Sequence, residues 1–416
     1  MADHHHTLVC ACYISVLVIL VGSLGYGDIV VRSDLYRDRD AQELIAFRLW
    51  RDTAPVQSVA IGDFDISHMG NEVVCGGQSR FVTMLSGSQN QWISTQLQYV
   101  PGAVEFLDIG DLDSTHAGNE VVVASHDSHT VPLSGGGEEN PPPAEYWGIR
   151  MLEGSEGNWT SSVVFVTNTQ SGKLWGLRVG DYNTSHPGDE IIACWEFLMD
   201  VANVVMYTYT DTQWSSTLIY VGNMVIMDAT IGEVNSAHPG PEIIMLDEDG
   251  EYIQLVQRGD TWESTIIWDA PADYAGREVE IGDVDRRHPG NEVVVRTRFV
   301  PGIVVLSERN NQWRPRWILH GSELVTDFAV GDFNRNHPGD EVIVVRDRNV
   351  SVVWGEEQWW HQRLMWRDVA PLYCVAFSDC DPFFEGGECL VGGESWYVTR
   401  ILGRFLPVFA SVVDEP

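Results

Sequence analysis

One phrase returns seven times along the chain, and it constrains the fold more than any other feature. It reads IGDFDISHMGNEVV from Ile61, IGDLDSTHAGNEVV from Ile109, VGDYNTSHPGDEII from Val179 and IGEVNSAHPGPEII from Ile231. It continues as IGDVDRRHPGNEVV from Ile281, VGDFNRNHPGDEVI from Val330 and, degraded, FSDCDPFFEGGECL from Phe377. From Gly62 through Gly110, Gly180, Gly232, Gly282 and Gly331 to Ser378, the steps are 48, 70, 52, 50, 49 and 47 residues. Self-similarity at such a period marks a unit that buries its apolar surface only by stacking on copies of itself.

Each repeat carries four short apolar or alternating runs separated by Gly, Pro, Asn and Asp clusters. In the second they are VEFLDIG, NEVVVAS, YWGIRMLEG and WTSSVVFV. These read as strands joined by turns, with no helical periodicity between them. A four-stranded sheet cannot cover both of its faces alone, and the radial solution at this repeat size is a propeller. The expectation is an all-β, seven-bladed β-propeller over residues 42–403, with four antiparallel strands per blade and the phrase in the turn between the first and second strands. A tryptophan precedes most fourth strands (Trp92, Trp159, Trp214, Trp262, Trp313, Trp359) and is expected to pack between blades.

The ring also carries a closure signal. RLWRDTAP at 48–55 nearly repeats RLMWRDVAP at 363–371, which is a fourth strand leading into the last phrase. Residues 42–52 are therefore a fourth strand without a blade, expected to complete the seventh and remove its open edge. Residues 404–416 are expected to form a covering tail. In the seventh phrase Cys380 takes the place of Phe64, Leu112 or Phe333, and Cys389 that of Val73 or Val121. If these positions face each other across the turn, a Cys380–Cys389 disulfide staples the closing blade; the alternative is two buried thiols.

Ahead of the repeats, residues 8–24 (LVCACYISVLVILVGSL) form an uninterrupted apolar run. Residues 1–27 thus read as a secretory signal peptide or an uncleaved signal anchor, and 28–41 as a linker, which implies a secreted or surface location and no other membrane attachment. The formal charge of −35 excludes the electrostatic footprint of a nucleic-acid binder.

Written as D-x-[DN]-x-x-H-P-G-[ND]-E, the phrase resembles the calcium-loop repeats of FG-GAP and integrin-α-type (VCBS-type) propellers across residues 40–403. In that family the loop runs D-x-[DN]-x-[DN]-G-x-x-D and supplies the oxygen ligands that calcium requires. The resemblance implies calcium at Asp63, Asp65 and Asn71, at Asp111, Asp113 and Asn119, and at Asp181, Asn183 and Asp189. Departures weaken the other loops: Arg287 stands at a ligand position in the fifth, and Glu233 and Pro241 alter the fourth. The recurring His68, His116, His186, His238, His288 and His337 suggest a second arrangement, in which carboxylates cap turn amides and the imidazole bridges them.

If the phrases mark one face, the loops between second and third strands mark the other, around the channel mouth. Residues 126–145 and 195–202 enlarge two neighbouring loops there. The same rim is expected to collect His126, Asp127, His129, Glu196, Asp247, Glu248, Asp249, Arg296, Arg298, Arg346 and Arg348. These do not repeat from blade to blade, which points to one asymmetric site on a monomeric ring. No spacing matches a nucleophile elbow, a zincin helix or a phosphate loop. The expected function is binding or adhesion with a protein or carbohydrate ligand. The alternatives are a polysaccharide lyase or glycoside hydrolase, with Glu105 paired to Asp247 or Asp249 at the mouth, and a structural surface component.

Overall fold

The structure is a computed structural model that describes residues 44–403, apart from 128–145 and short stretches in turns, among them 235–239 and 382–386. The leader at 1–27, the linker at 28–41, the tail at 404–416 and His129 lie outside the described residues. Within them, 28 strands form seven four-stranded antiparallel sheets and no α-helix occurs. The chain is a seven-bladed β-propeller.

Blade one shows the common plan, with β2 (Val56–Gly62), β3 (Glu72–Gly77), β4 (Phe81–Ser88) and β5 (Gln91–Tyr99) paired in that order. The first strand lines the channel and the fourth is outermost. Burial follows from that position. Every residue of β3 is buried, whereas all of β5 but Leu97 is exposed or half-buried. A strand covered on both faces reads as a continuous apolar run, which is why the phrases run on into EVVC, EIIM and ECLV in blades one, four and seven.

The core lies between blades. Phe64, Val74 and Met84 of blade one pack against Val104, Val121 and Val123 of blade two, while Val73, Cys75 and Leu85 face blade seven. The phrase glycine permits this approach: a Cβ on Gly62 would sit 2.6 Å from Ile109 Cγ2, and one on Gly331 2.2 Å from Phe377. The tryptophans before the fourth strands occupy the same seams, as where Trp159 packs 5.3 Å from Phe64 of the preceding blade. In the sixth blade this place belongs to Trp360, which packs on the core between blades five and six, and Trp359 is 46% exposed.

The last blade consists of β26 (Leu372–Ser378), β27 (Glu388–Gly393), β28 (Tyr397–Gly403) and, outermost, β1 (Leu44–Arg51). The N-terminal strand therefore closes the ring antiparallel to β28, with Leu44 opposite Gly403 and Arg51 opposite Tyr397. The expected disulfide is absent: Cys380 and Cys389 are both free and buried. They lie on opposite faces of the blade, Cys380 in the core shared with blade one and Cys389 in the core shared with blade six.

Candidate functional site at the channel mouth

The repeated turns form one face of the ring, and their carboxylates are directed inward. Glu72 Oε2 accepts the backbone N–H groups of Phe64 and Asp65 at 3.2 and 3.0 Å. Asp65 Oδ1 accepts the N–H and hydroxyl of Ser67 at 3.1 and 2.6 Å, and His68 Nδ1 lies 3.2 Å from Asp65 Oδ2. Glu120 with Asp113 and Thr115, and Glu190 with Asn183 and Ser185, repeat the pattern. There the histidine meets the glutamate instead, with His116 and His186 Nδ1 each 3.2 Å from Oε1 of Glu120 and Glu190. Gly70, Gly118 and Gly188 close these turns at φ near +100°, which only glycine adopts readily.

The residues implied as calcium ligands diverge. Asp63, Asp111 and Asp181 are exposed, while Asp65, Asp113 and Asn183 bond within their own turns. Asn71 turns away to donate to the Asp379 carbonyl at 2.8 Å, Asn119 N–H donates to the Asp63 carbonyl at 3.0 Å, and Asp189 binds Asp111. No three acidic, histidine or cysteine side chains converge on a common point among the described residues. The third residue of each set thus ties its blade to the one before.

On the opposite face the rim residues separate into three groups. His126 and Arg296 line the channel; His126 stacks on Trp147 at 4.6 Å, and Arg296 donates to Glu278 at 2.8 Å and to the Val325 carbonyl at 3.1 Å. Glu196 stands one step behind, accepting the indole N–H of Trp175 at 2.7 Å. The remainder serve the surrounding loops. Asp247 is buried and caps the N–H groups of Asp249, Gly250 and Glu251 at 3.1, 2.9 and 2.8 Å, which removes it from any catalytic pair with Glu105. Arg298 pairs with Glu248 at 2.9 Å, Arg348 with Asp347 at 3.3 Å, Asp249 is exposed, and half-buried Asp127 ends its strand. Half-buried Arg346 lies beside Gly321.

Between these faces runs a cavity of about 950 Å³, lined by the first strands of all seven blades. Six of those strands carry a β-bulge at one place, five residues before the last paired residue, and the bulged residues are Gln57, Glu105, Trp175, Met227, Arg277 and Tyr373. A bulge re-aims the extra side chain, here into the channel. Lys173, the chain's single lysine, lies with its ammonium 3.3 Å above the Trp175 ring.

Deeper in the channel sits a cluster of buried charge. Arg178 bridges Asp228 at 3.1 Å and Glu280 at 3.0 Å. Asp108 accepts the Val179 N–H at 2.7 Å, Asp228 that of Val279 at 3.1 Å, and Asp327 that of Val375 at 2.6 Å, so these carboxylates also sew neighbouring first strands together. Burial pushes Glu280 up to about 7 and Asp228 to about 6, with Arg178 opposing it in both. Burial and the adjacent Glu278 raise Asp327 well above the usual carboxylate range.

No protein-family model matches the chain, and no curated protein matches it in sequence. Apart from Glu105, His126 and Arg296, the channel residues carry no repeated signal in the sequence, because they vary from blade to blade. Their signal was that variation: one residue before the phrase glycine every blade has Ile, Val or Phe, and five before it stand Gln57, Glu105, Trp175, Met227, Arg277, Thr326 and, before Ser378, Tyr373.

Proposed function

We propose that the protein is a binding module that holds one ligand in the mouth of its central channel, on the face opposite the repeated turns. One observation carries the reading: the same bulge recurs in six blades, yet each blade places a different side chain on it. A scaffold under structural constraint alone repeats its residues, as the glycine and glutamate of the phrase do. Diverse polar and aromatic groups converging on one concave site are what a small or extended ligand requires. The apolar run at 8–24 supports a secreted or surface-tethered setting.

The test is a glycan and peptide array probed with the full chain, with Trp175→Ala as a mouth variant and with Asn71→Ala as a variant on the turn face. Capture that Trp175→Ala abolishes and Asn71→Ala leaves intact supports the mouth. Capture lost only with Asn71→Ala sinks it.

A catalytic reading has one observation in its favour, the pairing of Asp327 with Glu278 in the channel wall, where burial and Glu278 raise the Asp327 carboxyl above its usual range, as a general acid next to a carboxylate requires. Release of reducing ends from a polysaccharide by the wild-type chain, and not by Asp327→Asn, is the result that favours it over simple binding.

A further inference from the structure

The charge at the mouth is unusual for this molecule. In a chain with formal charge −35, four cations line the same cavity: Arg178, bridged to Asp228 and Glu280, and Lys173, Arg277 and Arg296. Arg296 is neutralised by Glu278 at 2.8 Å. Arg277 is exposed, on its bulge, and makes no hydrogen bond or ion pair among the described residues. Exposed Lys173 rests on Trp175 and not on a carboxylate. Although both side chains reach solvent, desolvation by the surrounding protein holds each below its ordinary range. Arg296 and Arg298 add to it at Arg277, while at Lys173 the carboxylate of Glu196, and more weakly those of Glu105 and Glu248, oppose it without forming an ion pair with the ammonium.

Acceptors face the same space. Gln57 Oε1 is buried without a donor, and Glu105 lines the cavity with no hydrogen bond or ion pair among the described residues. Trp175 and Tyr373 add aromatic surface. A ligand that completes this set carries an anionic group for Arg277 and Lys173, several O–H donors for Gln57 and Glu105, and ring faces that pack on aromatic rings. An acidic peptide brings carboxylates but few hydroxyls, and a neutral sugar leaves two cations without an ion-pair partner.

We infer that the ligand is an acidic saccharide whose uronate carboxylate sits between Arg277 and Lys173, with its hydroxyls on Gln57 and Glu105. This rests on the reading of the channel mouth as the binding site and names the class of ligand for it. A planar guanidinium grips a carboxylate through two parallel hydrogen bonds, which a lysine cannot reproduce in full.

Titration calorimetry of the full chain against oligomers of galacturonate, glucuronate and mannuronate tests the class, with methyl-esterified galacturonate oligomers and polyglutamate as controls. At least one uronate oligomer is expected to bind and to weaken as salt rises. If the galacturonate oligomer is among the binders, its methyl ester is expected to bind about tenfold more weakly, or worse. Arg277→Gln is expected to weaken uronate binding about tenfold, with Arg277→Lys between it and wild type, while the melting temperature stays unchanged.

Three outcomes overturn the inference. An ester that binds as well as the acid shows that the carboxylate is not read, and polyglutamate binding without uronate binding makes the ligand a peptide. Failure of every uronate removes the class. In each case the mouth itself stands or falls separately, on whether Trp175→Ala abolishes whatever the arrays capture.

Discussion

The carboxylate of Asp189 accepts the backbone N–H of Asp111 at 2.9 Å, and the N–H of Asp189 donates to the Asp111 carbonyl at 2.6 Å. This closed pair of bonds hooks blade three to blade two, and Asp340 and Asp283 repeat it between blades six and five at 2.9 and 2.7 Å. Blade four has Pro241 at that position, which has no N–H to offer. Replacement of Asp189 by Ala leaves the Asp111 amide without its charged acceptor and is expected to cost about 1.5–3 kcal/mol of stability. Asp189→Asn, the residue native to Asn71, Asn119 and Asn291, is expected to recover most of the loss. Urea denaturation of the three proteins checks this, and equal midpoints would remove the hook from the account of stability.

Stability is expected to fall as pH rises through neutrality. Burial, outweighing the turn amides they accept, pushes Glu72, Glu120 and Glu190 up to about 7 and Glu292 to about 8. An unfolded glutamate releases its proton near about 4.3. Between those values the folded chain holds more protons than the unfolded one. The stabilisation is complete below the unfolded pKa and is lost as pH climbs through 7 to 8. Melting temperatures measured at mildly acidic and mildly alkaline pH should be higher on the acid side, and Glu120→Gln should flatten the difference. A rise toward alkaline pH contradicts the assignment.

Calcium is expected to leave the melting temperature unchanged, because Asp65, Asp113 and Asn183 are already bonded inside their turns and Asn71, Asn119 and Asp189 face the preceding blade. A calcium-dependent rise that chelator reverses would show that these loops rearrange to bind the ion.

Two adjacent tryptophans give a sharp comparison. Trp360 packs on the core between blades five and six, within 5.8 Å of the Arg316 guanidinium, whereas Trp359 is 46% exposed. Trp360→Ala is expected to destabilise by roughly 2–3 kcal/mol, less than a fully buried tryptophan would. Trp359→Ala should stay within about 0.5 kcal/mol of wild type. Thermal denaturation of the pair separates them, and the reverse order would mean that the strand register is shifted by one.

That pair also marks how far sequence reaches. The blades were legible because second strands, covered on both faces, spell out continuous runs of Val and Ile, and because the glycine at Gly62 has to admit Ile109 of the next blade. Which of two neighbouring tryptophans faces inward was not, since a slip of one residue exchanges the two faces of a strand. The same parity separates Cys380 from Cys389, which share a turn but not a side. For the rim, His126 and Arg296 are legible because they lie on second strands that continue from the phrase, while Arg277 and Trp175 sit at a bulge position where the repeats share no residue type. Asp247 drew notice as a carboxylate, but its turn amides consume it.

The pairing of Leu44 with Gly403 has a consequence in time. On the ribosome the strand Leu44–Arg51 emerges before any other described strand, and its partner Tyr397–Gly403 emerges after every other. At translation rates of about 5–20 residues per second, the wait is on the order of half a minute. Six blades have time to assemble while the first strand stays unmatched, its N–H and C=O groups available to any passing edge. Closure of the ring therefore waits for its last strand, and the nascent chain must keep Leu44–Arg51 out of the wrong sheet until that strand exists.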